Sequence, residues 1–172
     1  MRAEQEAEFR HYVAVRADRL RRFGYLCCGD WQRAEDAVQS AFIKLYGVWA
    51  RLAAESCDAY VRRIVANTLI DEHRRGWFRR ERVTERLPER HVADRSDASV
   101  ATLTVMNALA RLPKKQRAVV VLRYWEDLPI DQVADILRLS SGTVKSQGAR
   151  GLRTLRALLS DSMPERTLGA SS

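Results

Sequence analysis

The chain is short of the residues that interrupt or staple a fold: its 172 residues include 8 glycines, 4 prolines and 3 cysteines. Pro88, Pro113, Pro129 and Pro164 each fall at or near an expected element boundary, so none breaks a helix interior. An odd number of cysteines, with Cys27 and Cys28 adjacent and Cys57 alone, excludes a secreted disulfide framework. No CxxC or Cys/His spacing offers a zinc site, so the three thiols read as reduced, core-filling side chains. No run approaches the roughly 20 apolar residues of a membrane span, and no apolar stretch follows the first charges. Neither membrane insertion nor a signal peptide is therefore expected, and the chain reads as cytoplasmic. Phosphate loop, nucleophile elbow and metal motif are all missing, so no catalytic residue, metal or cofactor is expected. Strand-like alternation is missing too, which leaves an all-α fold.

What the chain does have is positive charge. Its net charge is +8 and 46% of its residues are hydrophobic, a composition that folds and that favours an anionic partner. The excess is uneven. Residues 1–83 carry 16 Lys and Arg against 12 Asp and Glu, residues 84–101 carry 3 against 4, and residues 102–172 carry 11 against 6. Two basic ends around a neutral middle suit a polyanion gripped at two places. An arginine-rich composition alone would also give a basic surface, because all the basic residues except Lys44, Lys114, Lys115 and Lys145 are arginine.

Helical periodicity predicts a first helix over 4–28, closed by Gly29-Asp30. A second runs from the Asp30 cap to about 52, with Ala34, Val38, Ala41, Phe42, Leu45 and Trp49 at helical spacing. Residues 53–57 read as a loop, and Asp58 as the cap of a third helix over 59–76. The stretch 84–100 has mixed charge, a proline and few large apolar residues, the composition of a linker. A second module then begins with a helix over 101–112. Pro113 opens another over 114–126, apolar along Ala118, Val119, Val121, Leu122 and Trp125. Residues 163–172 read as a frayed tail. The expected architecture is two small helical modules on a flexible tether.

The most informative segment lies near the C-terminal end. Residues 130–137 form a short amphipathic helix, 138–141 a turn, and 142–159 a second, basic helix, the pattern of a helix-turn-helix. On a wheel of about 100° per residue, Val144, Gly148, Gly151, Leu152 and Leu155 share the face expected to pack on the first helix of the pair. Gly142, Lys145, Ser146, Ala149, Arg150 and Arg153 share the opposite face, which holds no carboxylate. Small side chains there let a helix sink into the major groove. Thr143, Lys145 and Ser146 then reach base edges, while Arg150 and Arg153 lie where phosphates run. The two glycines cost the helix about 0.8–1 kcal/mol each against alanine, which tight packing or bound DNA has to offset.

The third helix carries a polar stripe of Arg63, Asn67, Asp71 and Arg74 opposite a core face of Val61, Ile64, Val65, Thr68 and Leu69. Beyond it Arg74, Arg75, Arg79, Arg80 and Arg82 surround Trp77 and Phe78, arginines with aromatics as in single-strand binding. Packing of the two aromatics on the first helix is the plainer alternative. Glu35 and Asp36 sit beside Gln39 without a partner that would make them catalytic, and suit a basic protein surface.

Three segments together resemble a known family. They are Gly29-Asp30 with Ala34-Glu35-Asp36-Ala37-Val38-Gln39; Ala59-Tyr60-Val61-Arg62-Arg63-Ile64-Val65-Ala66-Asn67 with Asp71; and Leu112-Pro113-Lys114-Lys115-Gln116-Arg117 through Tyr124, with Gly142-Thr143-Val144-Lys145-Ser146. In this order the chain resembles bacterial RNA polymerase sigma factors of the sigma-70 family, the short extracytoplasmic function type. The resemblance implies region two over 1–83, a linker over 84–100, region four over 101–162 and a tail over 163–172. It implies core polymerase as partner, through the beta-prime clamp and beta flap, with Glu35, Asp36, Gln39 and Phe42 on the docking helix. Promoter DNA would be the second partner. Ser56, Arg62, Arg63, Asn67, Asp71, Arg74 and Arg75 would read the opened −10 element, with the loop of Glu55, Ser56 and Cys57 capturing a flipped base. Ser141, Gly142, Thr143, Lys145, Ser146, Gln147, Arg150 and Arg153 would read the −35 element as duplex. An anti-sigma factor is a further partner that the family implies.

Gln147 and Gly148 depart from the arginine and larger residue common in the family, and Cys27-Cys28 and Trp77-Phe78 match no family role. Two other readings compete. A conventional regulator would bind a palindromic site as a dimer through 113–156, and a basic helical RNA-binding protein would fit the charge. The first gives the Asp36 helix and the Arg63/Asn67 stripe nothing to do, and the second leaves the turn at Ser140-Ser141 unexplained.

Overall fold

The computed structural model describes residues 2–79 and 99–162, with backbone alone over 72–79. Most of the expected linker, the tail, and the side chains of Arg74, Arg75, Trp77 and Phe78 therefore lie outside the described residues. Among those described, the elements are α1 (Ala3–Cys28), α2 (Trp31–Val48), α3 (Ala54–Arg79), α4 (Val100–Ala110), α5 (Lys114–Val120), α6 (Ile130–Leu137) and α7 (Ser141–Ser162). A 3-10 turn, Trp49–Arg51, extends α2, and a π turn, Val121–Trp125, extends α5.

Helices α1, α2 and α3 pack together around Phe23, Val38, Leu45, Val61 and Val65, all at or below 2% exposure. The α1–α2 corner follows from its residues. Gly29 adopts φ 74°, a left-handed conformation that a Cβ disfavours, and its N–H closes α1 on the Tyr25 carbonyl at 2.7 Å. Asp30 then caps α2, its Oδ1 accepting from the Arg33 N–H at 3.0 Å, and Trp31 stacks flat on Tyr25 with ring centroids 4.1 Å apart.

The start of α3 differs from the sequence expectation. Residues 53–57 are not a loop with Asp58 as cap: the helix is already formed at Ala54, and Cys57 is buried in its first turns. Ala53-Ala54 favours helix, and Glu55 in the first turn complements the dipole. Asp58 is drawn instead to α1, where it accepts from the Tyr12 hydroxyl at 2.8 Å and pairs with Arg16 at 3.1 Å. Burial, aided by the Asp58 carboxylate, pushes the Tyr12 hydroxyl pKa upward.

The second correction lies in the helix expected over 114–126. It is α-helical only to Val120, and the π turn follows, closed by the Glu126 N–H on the Val121 carbonyl at 3.0 Å. One extra residue in a turn rotates everything beyond it. Trp125, expected in the core, is 55% exposed, and Glu126 swings onto the buried side at 4%.

In the C-terminal module α7 lays its small residues chiefly against α5 rather than α6. A Cβ built on Gly151 would stand 2.5 Å from Val120 Cγ2, whereas one on Gly148 would meet Val119 Cγ1 at an ordinary 3.5 Å. The two glycines thus have different reasons to be there. Gly151→Ala is expected to lower stability by about 1–3 kcal/mol, because buried, β-branched Val120 has little room to yield. Gly148→Ala is expected to raise it by about 0.5–1 kcal/mol through helix propensity. Thermal melts of the two variants read the difference; shifts of the same sign would refute the packing account.

The modules are not merely tethered. One core cluster of buried residues runs through both, with α1 against α4, α5 and the π turn, and α3 against α5 and α6. Two buried charged residues tie the seam. The Arg117 Nε donates to the Leu26 carbonyl at 2.5 Å. Helix α1 has no basic residue in its last turn, so this arginine supplies the cation that its C-terminal dipole favours. Glu126 crosses the other way, to Arg19 at 3.2 Å and Arg62 at 2.7 Å.

Candidate nucleic-acid and polymerase surfaces

The first surface is the exposed side of α7. Ser140 caps the helix, accepting from the Thr143 N–H at 3.1 Å, and its hydroxyl also bonds that of Thr143 at 2.8 Å. The Ser141 hydroxyl donates to Asp131 Oδ1 of α6 at 3.0 Å, a link between the two helices. Gly142, Lys145, Ser146, Ala149, Arg150 and Arg153 are all exposed, while Val144, Gly148 and Gly151 face inward. The wheel thus gives the outward face of this helix correctly, while the inward face packs chiefly on α5 rather than on α6, and Leu152 is only half-buried. Thr143 and Gln147 are half-buried, and the hydroxyls of Ser141 and Thr143 are engaged within the protein. That leaves Lys145 as the long exposed side chain nearest the helix start. With Arg150 and Arg153 further along, the face can meet base edges at one end and phosphates at the other.

The second surface is a groove on α3. Ser56, Arg62 and Arg63 line it with Tyr60, and Gln132 and Ile136 of α6 supply the facing wall; its volume is about 480 Å3. Arg63 Nε is buried with no hydrogen-bond partner among the described residues. Asn67 lies half-buried further along the helix and Asp71 is exposed. The structure thus brings Ser56, Arg62 and Arg63 together and sets Asn67 and Asp71 beyond them. Cys57, expected to help capture a base, is 1% exposed and points into the core. Sequence reasoning missed the most consequential neighbour, Glu126, since nothing local to it signals a contact 64 residues away.

The third surface lies on α1 and α2, a groove of about 540 Å3 lined by Asp18, Arg21, Trp31, Gln32, Glu35 and Gln39 among others. The neighbouring acids Glu35, which lines the groove, and Asp36, which does not, are not equivalent. Glu35 is half-buried and engaged by Arg21 at 2.5 Å and by the Gln39 amide at 3.3 Å. Asp36 is exposed, accepting from Gln32 at 3.0 Å. Phe42 is half-buried with its ring edge-on to Tyr12, so it packs more than it presents.

No metal-binding group of His, Cys, Asp and Glu occurs among the described residues. Burial pushes the thiol pKa values of Cys27, Cys28 and Cys57 upward, which keeps them protonated and poor nucleophiles. Among the described residues no helix is long and apolar enough to cross a membrane.

Comparison with known proteins covers both modules. The family model described as Sigma-70 region 2 matches residues 10–79, and the one described as Sigma-70, region 4 matches residues 102–155. A Streptomyces avermitilis protein named RNA polymerase sigma-E factor is 38% identical over 154 residues, covering 87% of this chain and 83% of its own. A Bacillus subtilis protein named ECF RNA polymerase sigma factor SigW is 30% identical over 174 residues, covering 93% and 92%. Among solved structures, the sigma factor RpoE in complex with the anti-sigma factor NepR from Bartonella quintana superposes with a TM-score of 0.72. It is 23% identical and covers 91% of this chain and 99% of that one, a likeness of fold.

Proposed function

The chain belongs to the sigma-70 family and is a sigma factor of the extracytoplasmic function type, and from that premise we propose which of its surfaces do the work. It binds core RNA polymerase and directs promoter-specific initiation. Region two, over 1–83, meets the beta-prime clamp through the α2 face of Asp36, Gln39 and the partly shielded Glu35. The α3 face of Ser56, Arg62, Arg63 and Asn67 meets the opened −10 strand. Arg74 and Arg75 continue that basic track in sequence. Region four, over 101–162, meets the beta flap and reads the −35 duplex with Lys145, Ser146, Arg150 and Arg153. The protein does no chemistry of its own and works in the cytoplasm, and membership of the family supports an anti-sigma factor as a third partner.

The observation that carries this assignment is that the two family matches fall in order on the modules bearing the candidate faces. A stand-alone regulator binding a palindromic site would leave the match over residues 10–79 without a role. Run-off transcription with purified core polymerase on a genomic promoter library tests the whole reading. Discrete, promoter-specific starts are expected, and their absence would end it. In the same assay Asn67→Ala is expected to slow strand opening on the order of tenfold while leaving −35 duplex binding intact. Equal loss in both steps would remove Asn67 from the −10 surface.

A further inference from the structure

Glu126 is unlike the other acids described. Its side chain is 1% exposed, and its carboxylate is paired with two cations of the other module. Arg62 places both Nε and Nη2 at 2.7 Å from Oε2, and Arg19 Nε lies 3.2 Å from Oε1. The backbone that delivers it is unusual on both sides. The π turn ends at Trp125, and Asp127 takes φ 54°, a left-handed conformation rare outside glycine. The Leu128 N–H returns to the Leu122 carbonyl at 3.0 Å, and Arg123 Nη1 donates to the Leu128 carbonyl at 2.6 Å, so this bend is held in shape. Backbone outliers of this kind persist where the surrounding structure enforces them, and they gather at switches and binding sites.

The place where Glu126 lands matters more than the bond itself. An anionic oxygen under an arginine fork is what a phosphodiester would offer Arg62. The same docking brings Gln132 and Ile136 of α6 over the groove of Ser56 and Arg63. Arg117, plugged into the C-terminal end of α1, gives the seat a second point of attachment. A permanent interface gains little from a buried ion pair, because desolvation offsets the attraction. An ion pair does have one property that apolar packing lacks: a competing polyanion can displace it.

We propose that Glu126 is an intramolecular phosphate mimic, which occupies Arg62 and seats the C-terminal module over the −10 surface so that the free chain is latent. This rests on the reading of Arg62 as a −10 contact. The opened strand competes with Glu126 for Arg62 and draws the chain out of the closed state.

The test uses the full chain as wild type, Glu126→Gln, Arg62→Ala and the double variant. Small-angle scattering gives the radius of gyration, and fluorescence anisotropy gives the affinity for a short labelled oligothymidylate. Glu126→Gln is expected to enlarge the chain and to tighten the oligonucleotide about tenfold, with the gain vanishing when Arg62 is also replaced. If Glu126→Gln neither expands nor gains affinity, the latch is overturned. If it expands without gain, or gains equally without Arg62, then Arg62 leaves the −10 surface and the mimicry falls with that reading. The charge exchange of Arg19→Glu and Arg62→Glu with Glu126→Arg, which reverses both cations facing Glu126, covers the case in which Glu126→Gln fails to fold. It should restore wild-type compactness and still bind the strand weakly, and an expanded exchange variant would refute the pair as the clasp.

Discussion

Asp36→Arg is expected to weaken association with core polymerase by on the order of 100-fold, the cost of placing like charges together in an interface. The expectation comes from the inequality of two neighbouring acids. Glu35 already has its charge answered by Arg21 at 2.5 Å and is half-buried. Asp36 stands exposed, its carboxylate accepting only a neutral amide bond from Gln32 among the contacts described. It therefore carries the unspent negative charge of the α2 face, and reversing it opposes a basic partner directly. The fold should not notice, since exposed substitutions of this kind usually change stability by less than about 0.5 kcal/mol. Copurification with core polymerase and a thermal melt settle the matter together. Undiminished copurification would remove α2 from the polymerase interface, and a lowered melt would make the loss uninformative about contact.

Lys145→Ala and Arg150→Ala should both reduce −35-dependent initiation, each by about ten- to a hundredfold, and should do so in different ways. Lys145 is exposed near the start of α7, where the hydroxyls of Ser141 and Thr143 are bound to Asp131 and Ser140. It is the side chain with reach toward a base edge. Its loss should fall unequally on different −35 sequences. Arg150 lies more than a turn further along the same exposed face, at the position for a phosphate. Its loss should weaken all sequences alike and reduce the slope of log affinity against log salt by about one. Duplex binding measured over a salt series on two −35 sequences separates the roles. An Arg150→Ala variant with unchanged salt slope would place that arginine off the backbone.

Much of this molecule was legible because its cues are local. The Asp30 cap, the Gly29 terminator and the apolar period of residues 130–137 fall within a few residues of the structures they specify, and α6 spans Ile130–Leu137 as expected. The outward face of α7 was legible for the same reason, since a helix turns by a fixed angle and a basic stripe without carboxylates keeps its side. The misreadings have two causes, a distant partner and a local break in the helical period. Asp58 has the chemistry of a cap, but Tyr12 and Arg16, 46 and 42 residues away in sequence, claim it. The segment Ala53–Cys57 then had no loop to make. Trp125 falls on a regular apolar period that the π turn breaks, and a period says nothing of its own interruption.

The sequence by itself determined most of the helices, the two-module order, the family resemblance and the direction in which the basic helix faces. Periodicity and capping are properties of neighbours along the chain, and they survive whatever the chain packs against. Only the tertiary structure decided what the modules do to each other. Glu126 on Arg62, Arg117 in the end of α1, and the wall that α6 builds over Ser56 are contacts between residues brought together by packing alone. Their energy depends on burial and on the distance between charges, and neither quantity is written in the order of the residues.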